Sequence, residues 1–395
     1  MTSVSAGAFP FRRAGLDWVL LGAVLALSVI GCLLVWSATS ARSQLTGGDP
    51  RAYLEKQIVN VAIGLGLLVV VLATDHRWVR IVAPFVYLAS VVGLLLVLTV
   101  GTVVNGSQSW LYAGSLSIQP SEFAKLAVVI GMALVVAERS EGRWKARVGT
   151  VDVLAMLLIA AVPAALIMLQ PDLGTMLVLA ATVFGVLAAA GAPRRWLALL
   201  VVVAVGTAVG AVRGGFLKQY QVDRFLAFTN PDLDPRGAGY NVEQARIAIG
   251  NGGIFGQGLF DGSQTRAGFV PEQHTDFVFT VAGEELGLVG AAVIIALLGV
   301  VLWRALAIAV RTDDVFGRVA AAGIACWFGF QAFQNIGMCL GIMPVTGVPL
   351  PFVSYGGSSM FAGMLAVGLL LNISRRAAQA PAARMQPVKR VLVRS

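Results

Sequence analysis

Apolar stretches of about eighteen residues or more recur from one end of this 395-residue chain to the other. Each is long enough, as a helix, to cross a hydrocarbon core of about 30 Å. Charged residues make up only 12% of the chain, hydrophobic ones 57%, and the mean hydropathy is +0.82. Such a chain reads as an all-α polytopic membrane protein. The loops between most spans are short, so a single bundle is expected rather than the two or three domains of a soluble chain this long.

Ten spans are placed near 17–39, 57–74, 78–100, 121–138, 151–170, 173–191, 196–213, 276–303, 318–341 and 355–374. The first follows Arg12 and Arg13 and is too long for a signal-peptide core, so it is read as an uncleaved helix. An even number of spans puts both termini on one side. Nineteen of the 29 basic residues fall in one set of loops and the two ends, which makes that side cytoplasmic. The organisation is then a cytoplasmic segment at 1–16, a ten-helix membrane domain at 17–376 and a basic cytoplasmic tail at 377–395. A large extracytoplasmic loop at 213–275 joins helices seven and eight. The tail suits anionic membrane lipids, at roughly 1 kcal/mol per basic residue near the surface. Cys32, Cys326 and Cys339 lie within spans without metal-type spacing and read as small core residues.

Four polar features sit on the outer side, where irregular backbone meets the bundle. In "QPSEFAK" Pro120 suits a helix start and Ser121 a cap, while Glu122 and Lys125 share one helix face and can pair. A charge inside a span costs at least ~2.5–3.5 kcal/mol, so the pair is either a structural ion pair or a charged cavity wall. In "LQPDLGT" Asp172 follows Pro171 and can cap the sixth span. In "MPVTGVPLPFVSYGGSS" three prolines forbid a continuous helix, so the segment is a structural turn or lines a cavity. Its Gly356 and Gly357 amides can meet an anion. In "PEQHTDFVFT" Thr275 and Asp276 stand where the eighth span begins, and either can cap it. One cap suffices, which leaves Glu272 and His274 unexplained by capping.

Absent motifs narrow the function. There is no GxxxxGK[ST] loop, no HExxH and no CxxC pair, and the glycines of "GNGGIFGQGLFDG" follow no strand. The basic residues lack interleaved aromatics, which disfavours nucleic acid.

The blocks "QPSEFAK", "NPDLDPRGAGYNVEQARIAIGNGGIFGQGL", "FVPEQHTDFVFTVAGEELGLVG" and "MPVTGVPLPFVSYGGSS" resemble the signatures of the SEDS family (shape, elongation, division and sporulation) over about residues 17–376. "GSQTRAGFVPEQHTDF" and "PVTGVPLPF" resemble its RodA-like elongation branch more than its FtsW-like division branch. The resemblance implies a ten-span bacterial cytoplasmic-membrane enzyme that polymerises lipid II into glycan strands on the outer face, for elongation and cell shape. A 4-hydroxyl would attack an anomeric carbon with inversion, and undecaprenyl pyrophosphate would leave. Asp276 matches the family's proposed catalytic carboxylate. The matching blocks also carry Glu122, Lys125, Tyr240, Arg246, Glu272, His274, Thr275, Glu285, Ser354, Gly356 and Gly357 as substrate or cavity candidates, and Trp110, Asp172 and Arg224 outside the blocks join them. Lys125, Arg224, Arg246, the glycine amides or a divalent ion (Mg2+ or Mn2+) would meet the leaving anion, and the pattern does not rank them. No nucleotide cofactor is implied. Implied partners are the nascent undecaprenyl-pyrophosphate-linked glycan and a class B penicillin-binding protein, a transpeptidase. Where many members have Arg-Trp, this chain has Ser109 before Trp110, so a phosphate contact by that arginine has no counterpart here. Two other classes use the same residues: a flippase for the lipid-linked precursor, and a non-catalytic scaffold for the transpeptidase.

Overall fold

The computed structural model describes residues 15–104, 107–113, 116–140, 148–214 and 237–379. The chain opens with α1 (Trp18–Ser40), α2 (Ser43–Thr46), α3 (Ala52–Ala73) and α4 (His76–Val100). A three-stranded antiparallel sheet follows: β1 (Thr102–Val104), β2 (Ser107–Ala113) and β3 (Leu116–Ile118), in that order. Then come α5 (Pro120–Ser140), α6 (Thr150–Leu169), α7 (Leu173–Ala190) and α8 (Arg194–Arg213). The remainder comprises α9 (Ala238–Gly252), α10 (Ser263–Ala267), α11 (Val278–Glu285), α12 (Gly287–Arg311), α13 (Val315–Cys339) and α14 (Gly357–Gln379). The sheet departs from the all-α expectation. Its aromatic residues Trp110 and Tyr112, in "SQSWLYA", suit a strand better than a loop.

Among the described residues nine helices have the length and apolar composition to cross a membrane: α1, α3 to α7 and α12 to α14. The seventh expected span, α8, is a 20-residue helix but is not one of the nine. The expected eighth span is really two helices. The chain breaks at Leu286–Gly287, and only α12 beyond the break is a span. Asp276 therefore stands ahead of a short helix rather than on a transmembrane one. The basic tail, Arg224 and most of the first cytoplasmic segment lie outside the described residues.

Burial divides the spans. Their central windows are 78%, 72% and 72% buried in α5, α13 and α14, against 17% and 22% in α3 and α4, so the first three form the core. The others pack around them: α3 on α14, α7 on α13, α4 and α6 on α5, and α1 on α12. At the end of the bundle that carries Arg194, aspartate caps double as staples. Asp17 caps α1 by accepting from Leu20 N at 3.1 Å, and takes Arg304 of α12 at 2.5 and 2.9 Å. Asp314 caps α13 and pairs with Arg80 of α4. At the opposite end the chain from Leu340 to Gly356 runs irregularly across the bundle, as its prolines require. It passes so close to α7 that a methyl on Gly174 would come within 2.5 Å of the Thr346 carbonyl oxygen. Only glycine admits that approach.

Lys125 and Glu122 form the expected pair at 2.7 Å, with 0% and 2% exposure. Lys125 Nζ also donates to Gln331 Oε1 of α13 at 2.7 Å and lies 5.2 Å from the centroid of the Trp327 ring. Removing one member of a buried pair strands the other, at a cost of about 3–5 kcal/mol. Lys125→Met should therefore lower the thermal unfolding midpoint of the detergent-purified protein markedly. The double variant Glu122→Gln/Lys125→Met should recover most of the loss. A single variant that melts like wild type would show that the pair does not support the bundle.

Candidate active site

The stretch that carries Asp276 does not start a helix. Between Pro271 and Phe277 it folds into consecutive turns, and α11 begins only at Val278, without a side-chain cap. The expected caps by Thr275 or Asp276 are therefore not formed. Glu272 takes the left-handed conformation, with φ 50°. Its carbonyl accepts from Thr275 N at 3.2 Å and Phe277 N at 3.1 Å, while its Oε2 accepts from the Thr275 hydroxyl at 3.0 Å. The turn is thus closed by its own side chains, and Asp276 is left half-buried at its end.

Asparagine fixes Asp276 from below. Asn335 of α13 donates to the Asp276 carbonyl and to the Val348 carbonyl, both at 2.7 Å. The 340–356 segment thereby lies against the Asp276 turn. The Asp276 carboxylate stands directly over Gly347, where a methyl would come within 3.2 Å of Oδ2 and where φ is 70°. Gln334 donates to Thr346 Oγ1 at 3.1 Å, and Gln331 to the Pro349 carbonyl at 2.9 Å. Gln331, Gln334 and Asn335 are spaced i, i+3, i+4 and share one face of α13. This amide stripe, visible in "FQAFQNIG", escaped the sequence analysis. A polar face on an otherwise apolar span was its signal.

Asp276, Thr275 and Glu272 line one end of a cavity of about 1270 Å³. Trp110 and Ser109 of the sheet, Asp172, Gln119, Tyr355, Gly356 and Ser358 line it as well. Asp172 caps α7 as expected, accepting from Thr175 N at 2.9 Å, and also accepts from Gln119 Nε2 at 3.3 Å. The rest of the wall is apolar and comes from α6, α7 and α8, including Leu157, Met176, Phe184, Leu200 and Ala204. Val201 and Val203 line the cavity and are also half-exposed outside it, because α8 packs chiefly on α7. A polar end bearing a carboxylate joins a long apolar wall. That is the shape of a site for an amphiphile with a polar head and a hydrocarbon tail.

Other expected site residues lie elsewhere. Glu122 and Lys125 are not on the lining; they support it through the Gln331 link to Pro349. The expected Ser121 cap is not formed, and its buried hydroxyl has no partner among the described residues. His274 is buried against Tyr53 and Tyr355, at 5.0 and 5.7 Å between ring centroids, and its carbonyl accepts from Tyr355 N at 2.9 Å. Burial holds its imidazole below the ordinary histidine value, Glu272 pulls it up and Arg42 pushes it further down. Its ring packs between the two tyrosines. Ser354 is buried, its hydroxyl accepting from Leu350 N at 2.8 Å. Gly357 begins α14 off the lining, and Tyr240 and Arg246 lie on α9 away from the cavity. Glu285 is buried at the end of α11, where Ser37 donates to its Oε1 at 2.6 Å. No group of three His, Cys, Asp or Glu side chains among the described residues is placed to hold a metal ion.

Comparisons with known proteins place the chain in a family. The FtsW/RodA/SpoVE family, described as "Cell cycle protein", matches residues 17–379. The probable peptidoglycan glycosyltransferase FtsW of Trichlorobacter lovleyi is 36% identical over 374 residues, 94% of this chain and 96% of that one. Peptidoglycan glycosyltransferase MrdB of Escherichia coli K12 is 37% identical, covering 91% of this chain and 94% of that one. Among solved structures, a chain from work on the coordination of polymerization and crosslinking by a peptidoglycan synthase complex superposes with TM-score 0.75 at 34% identity. It covers 92% of this chain and 98% of its own. The rod shape determining protein RodA of Thermus thermophilus superposes with TM-score 0.66 at 32% identity, covering 91% and 97%.

Two outcomes follow from the geometry. Asn335→Leu leaves two carbonyls without their donor and should cost about 2–3 kcal/mol. Limited proteolysis should then cut the 340–356 segment at protease concentrations that spare the wild type; equal resistance would contradict the anchoring role. The second concerns pH. Burial pushes the Glu285 carboxyl up to about 7 from its ordinary 4.5, Glu284 beside it acts in the same direction, and the Ser37 hydroxyl opposes the rise. A raised value means that the fold favours the protonated form. That stability is complete below pH 4.5 and is lost as pH climbs through about 7. The unfolding midpoint should fall between pH 5 and 8 in wild type, and Glu285→Gln should flatten that slope.

Proposed function

This chain belongs to the FtsW/RodA/SpoVE (SEDS) family and is a peptidoglycan glycosyltransferase of the bacterial cytoplasmic membrane, from which we propose that it polymerises lipid II with Asp276 as the base. The observation that carries this reading is the single cavity wall on which a half-buried carboxylate adjoins a long apolar groove. A lipid-linked sugar lays its polyprenyl tail along α6, α7 and α8 and presents its head to Asp276. Asp276 accepts the proton of the attacking sugar 4-hydroxyl. The new bond forms from that oxygen to the anomeric carbon of the second substrate as the bond to pyrophosphate breaks. One displacement converts the α-linked ester into a β-1,4 linkage, and undecaprenyl pyrophosphate leaves. A positioned base contributes about 10²–10⁴-fold, or roughly 3–5 kcal/mol of barrier. No step here is routed through a metal ion.

The elongation branch is part of the proposal. Division-type and other relatives match at similar identity, 36% for FtsW, 35% for the stage V sporulation protein E of Bacillus subtilis and 37% for MrdB. Support comes instead from the local blocks "GSQTRAGFVPEQHTDF" and "PVTGVPLPF", which surround Asp276 and Gly347. The proposed partner is a crosslinking transpeptidase, a class B penicillin-binding protein. The structural likeness to a chain from a synthase complex that couples polymerization to crosslinking supports it.

Purified protein incubated with lipid II tests the assignment. Wild type should yield glycan polymer, and Asp276→Asn should lose at least about 100-fold of that rate with an unchanged unfolding midpoint. Normal polymer from the Asn variant would remove Asp276 from the mechanism. Activity that persists in a chelator would exclude a required divalent ion. Restoration of rod shape in cells depleted of their elongation polymerase, but not of division in cells depleted of the division enzyme, would place the branch.

A further inference from the structure

The cavity lining is acidic at its polar end. Asp172, Glu272 and Asp276 all face it, and the sheet contributes serine and tryptophan there but no cation. An anionic head held in this cavity calls for a positive group on the lining. Among the described residues the lining holds one basic side chain, Arg213, the last residue of α8. Two other described cations are committed elsewhere. Lys125 is fully buried with Glu122 and Gln331, and Arg42 is held by the Val270 carbonyl at 3.1 Å and by Gln273 Oε1 at 2.7 Å. Arg213 is solvent-exposed, and no described carboxylate pairs with it.

Its place along the helix is informative. The α8 wall is apolar or small through Leu200, Ala204, Thr207 and Ala208, and Arg213 follows about one and a half turns later. A 20-residue helix is about 30 Å long, so Arg213 stands at the opposite end of the apolar wall from Arg194. The lining thus carries a long apolar wall, the Asp276 carboxylate and one planar cation suited to bidentate phosphate contact.

We infer that Arg213 binds the phosphate ester linkage of the amphiphilic substrate, at the junction between its polyprenyl tail and its sugar head. This rests on reading the cavity as the lipid II site. The residue holds substrate without touching the transferred proton, so its loss weakens binding more than chemistry. The same oxyanion chemistry occurs in bulk anionic phospholipid, and the two sources are separable by experiment.

The full chain in nanodiscs of zwitterionic lipid is titrated with fluorescent undecaprenyl pyrophosphate and with the neutral fluorescent alcohol. Wild type should bind the pyrophosphate at least about tenfold more tightly than the alcohol. Arg213→Ala should erase most of that preference while binding the alcohol within about twofold of wild type, and Arg213→Lys should keep part of it. In polymerisation of lipid II, Arg213→Ala should raise KM about tenfold and leave kcat within about threefold. An unchanged preference in Arg213→Ala overturns the inference. So does loss of the wild-type preference when phosphatidylglycerol is added to the discs, which would make Arg213 a general phospholipid contact. A wild type that discriminates the two probes but makes no glycan would sink the polymerase reading and leave the Arg213 contact standing.

Discussion

A buried ammonium is tolerable in an apolar bundle only when its protons are taken up by protein groups. Lys125 meets that condition by dividing its bonds between Glu122 on its own helix and Gln331 on α13. The bond to α13 makes the arrangement more than local. Gln331 also receives Trp327 Nε1 at 2.7 Å and donates onward to the Pro349 carbonyl. One charge in the core thereby fixes the rotamer of an amide, and that amide fixes the irregular segment over which Asp276 stands. The central helices α5 and α13 and the floor of the cavity share this one linkage.

The architecture was largely legible in the sequence because the hydrocarbon core imposes length on every span. Boundaries of α1, α4, α6 and α7 differ from the expected ones by no more than about two residues. The sites of error are instructive. The eighth span was drawn through Leu286–Gly287 because the residues on both sides are apolar, and hydropathy alone carries no information about a backbone break. The sheet at Thr102–Ile118 was read as loop because three short strands give too few alternations to stand out beside long apolar helices.

Legibility of the site followed a different rule. Single residues that look costly in their setting, Asp172, Asp276 and Trp110, were found and do line the cavity. Their roles were harder to assign. Glu122 and Lys125 looked equally suited to a cavity wall or a structural pair, and only packing against Trp327 and Gln331 places them beneath the surface. His274 stood out as one of two histidines, yet its ring fills space between two tyrosines. Asn335 was overlooked because it binds backbone carbonyls, and a backbone partner leaves no trace in residue identity.

The long reach of these bonds has a consequence for biogenesis. Asp276 takes its anchor from a residue 59 positions downstream, and the Ser354 carbonyl accepts from Gln57, 297 positions upstream. A membrane chain is threaded in order, from its first span to its last. The turn that bears the carboxylate leaves the ribosome before α13 exists, and the segment beneath it is synthesised later still. Competence is therefore acquired at the final step of insertion. A truncated or half-inserted chain possesses the acidic residue but has no floor to hold it.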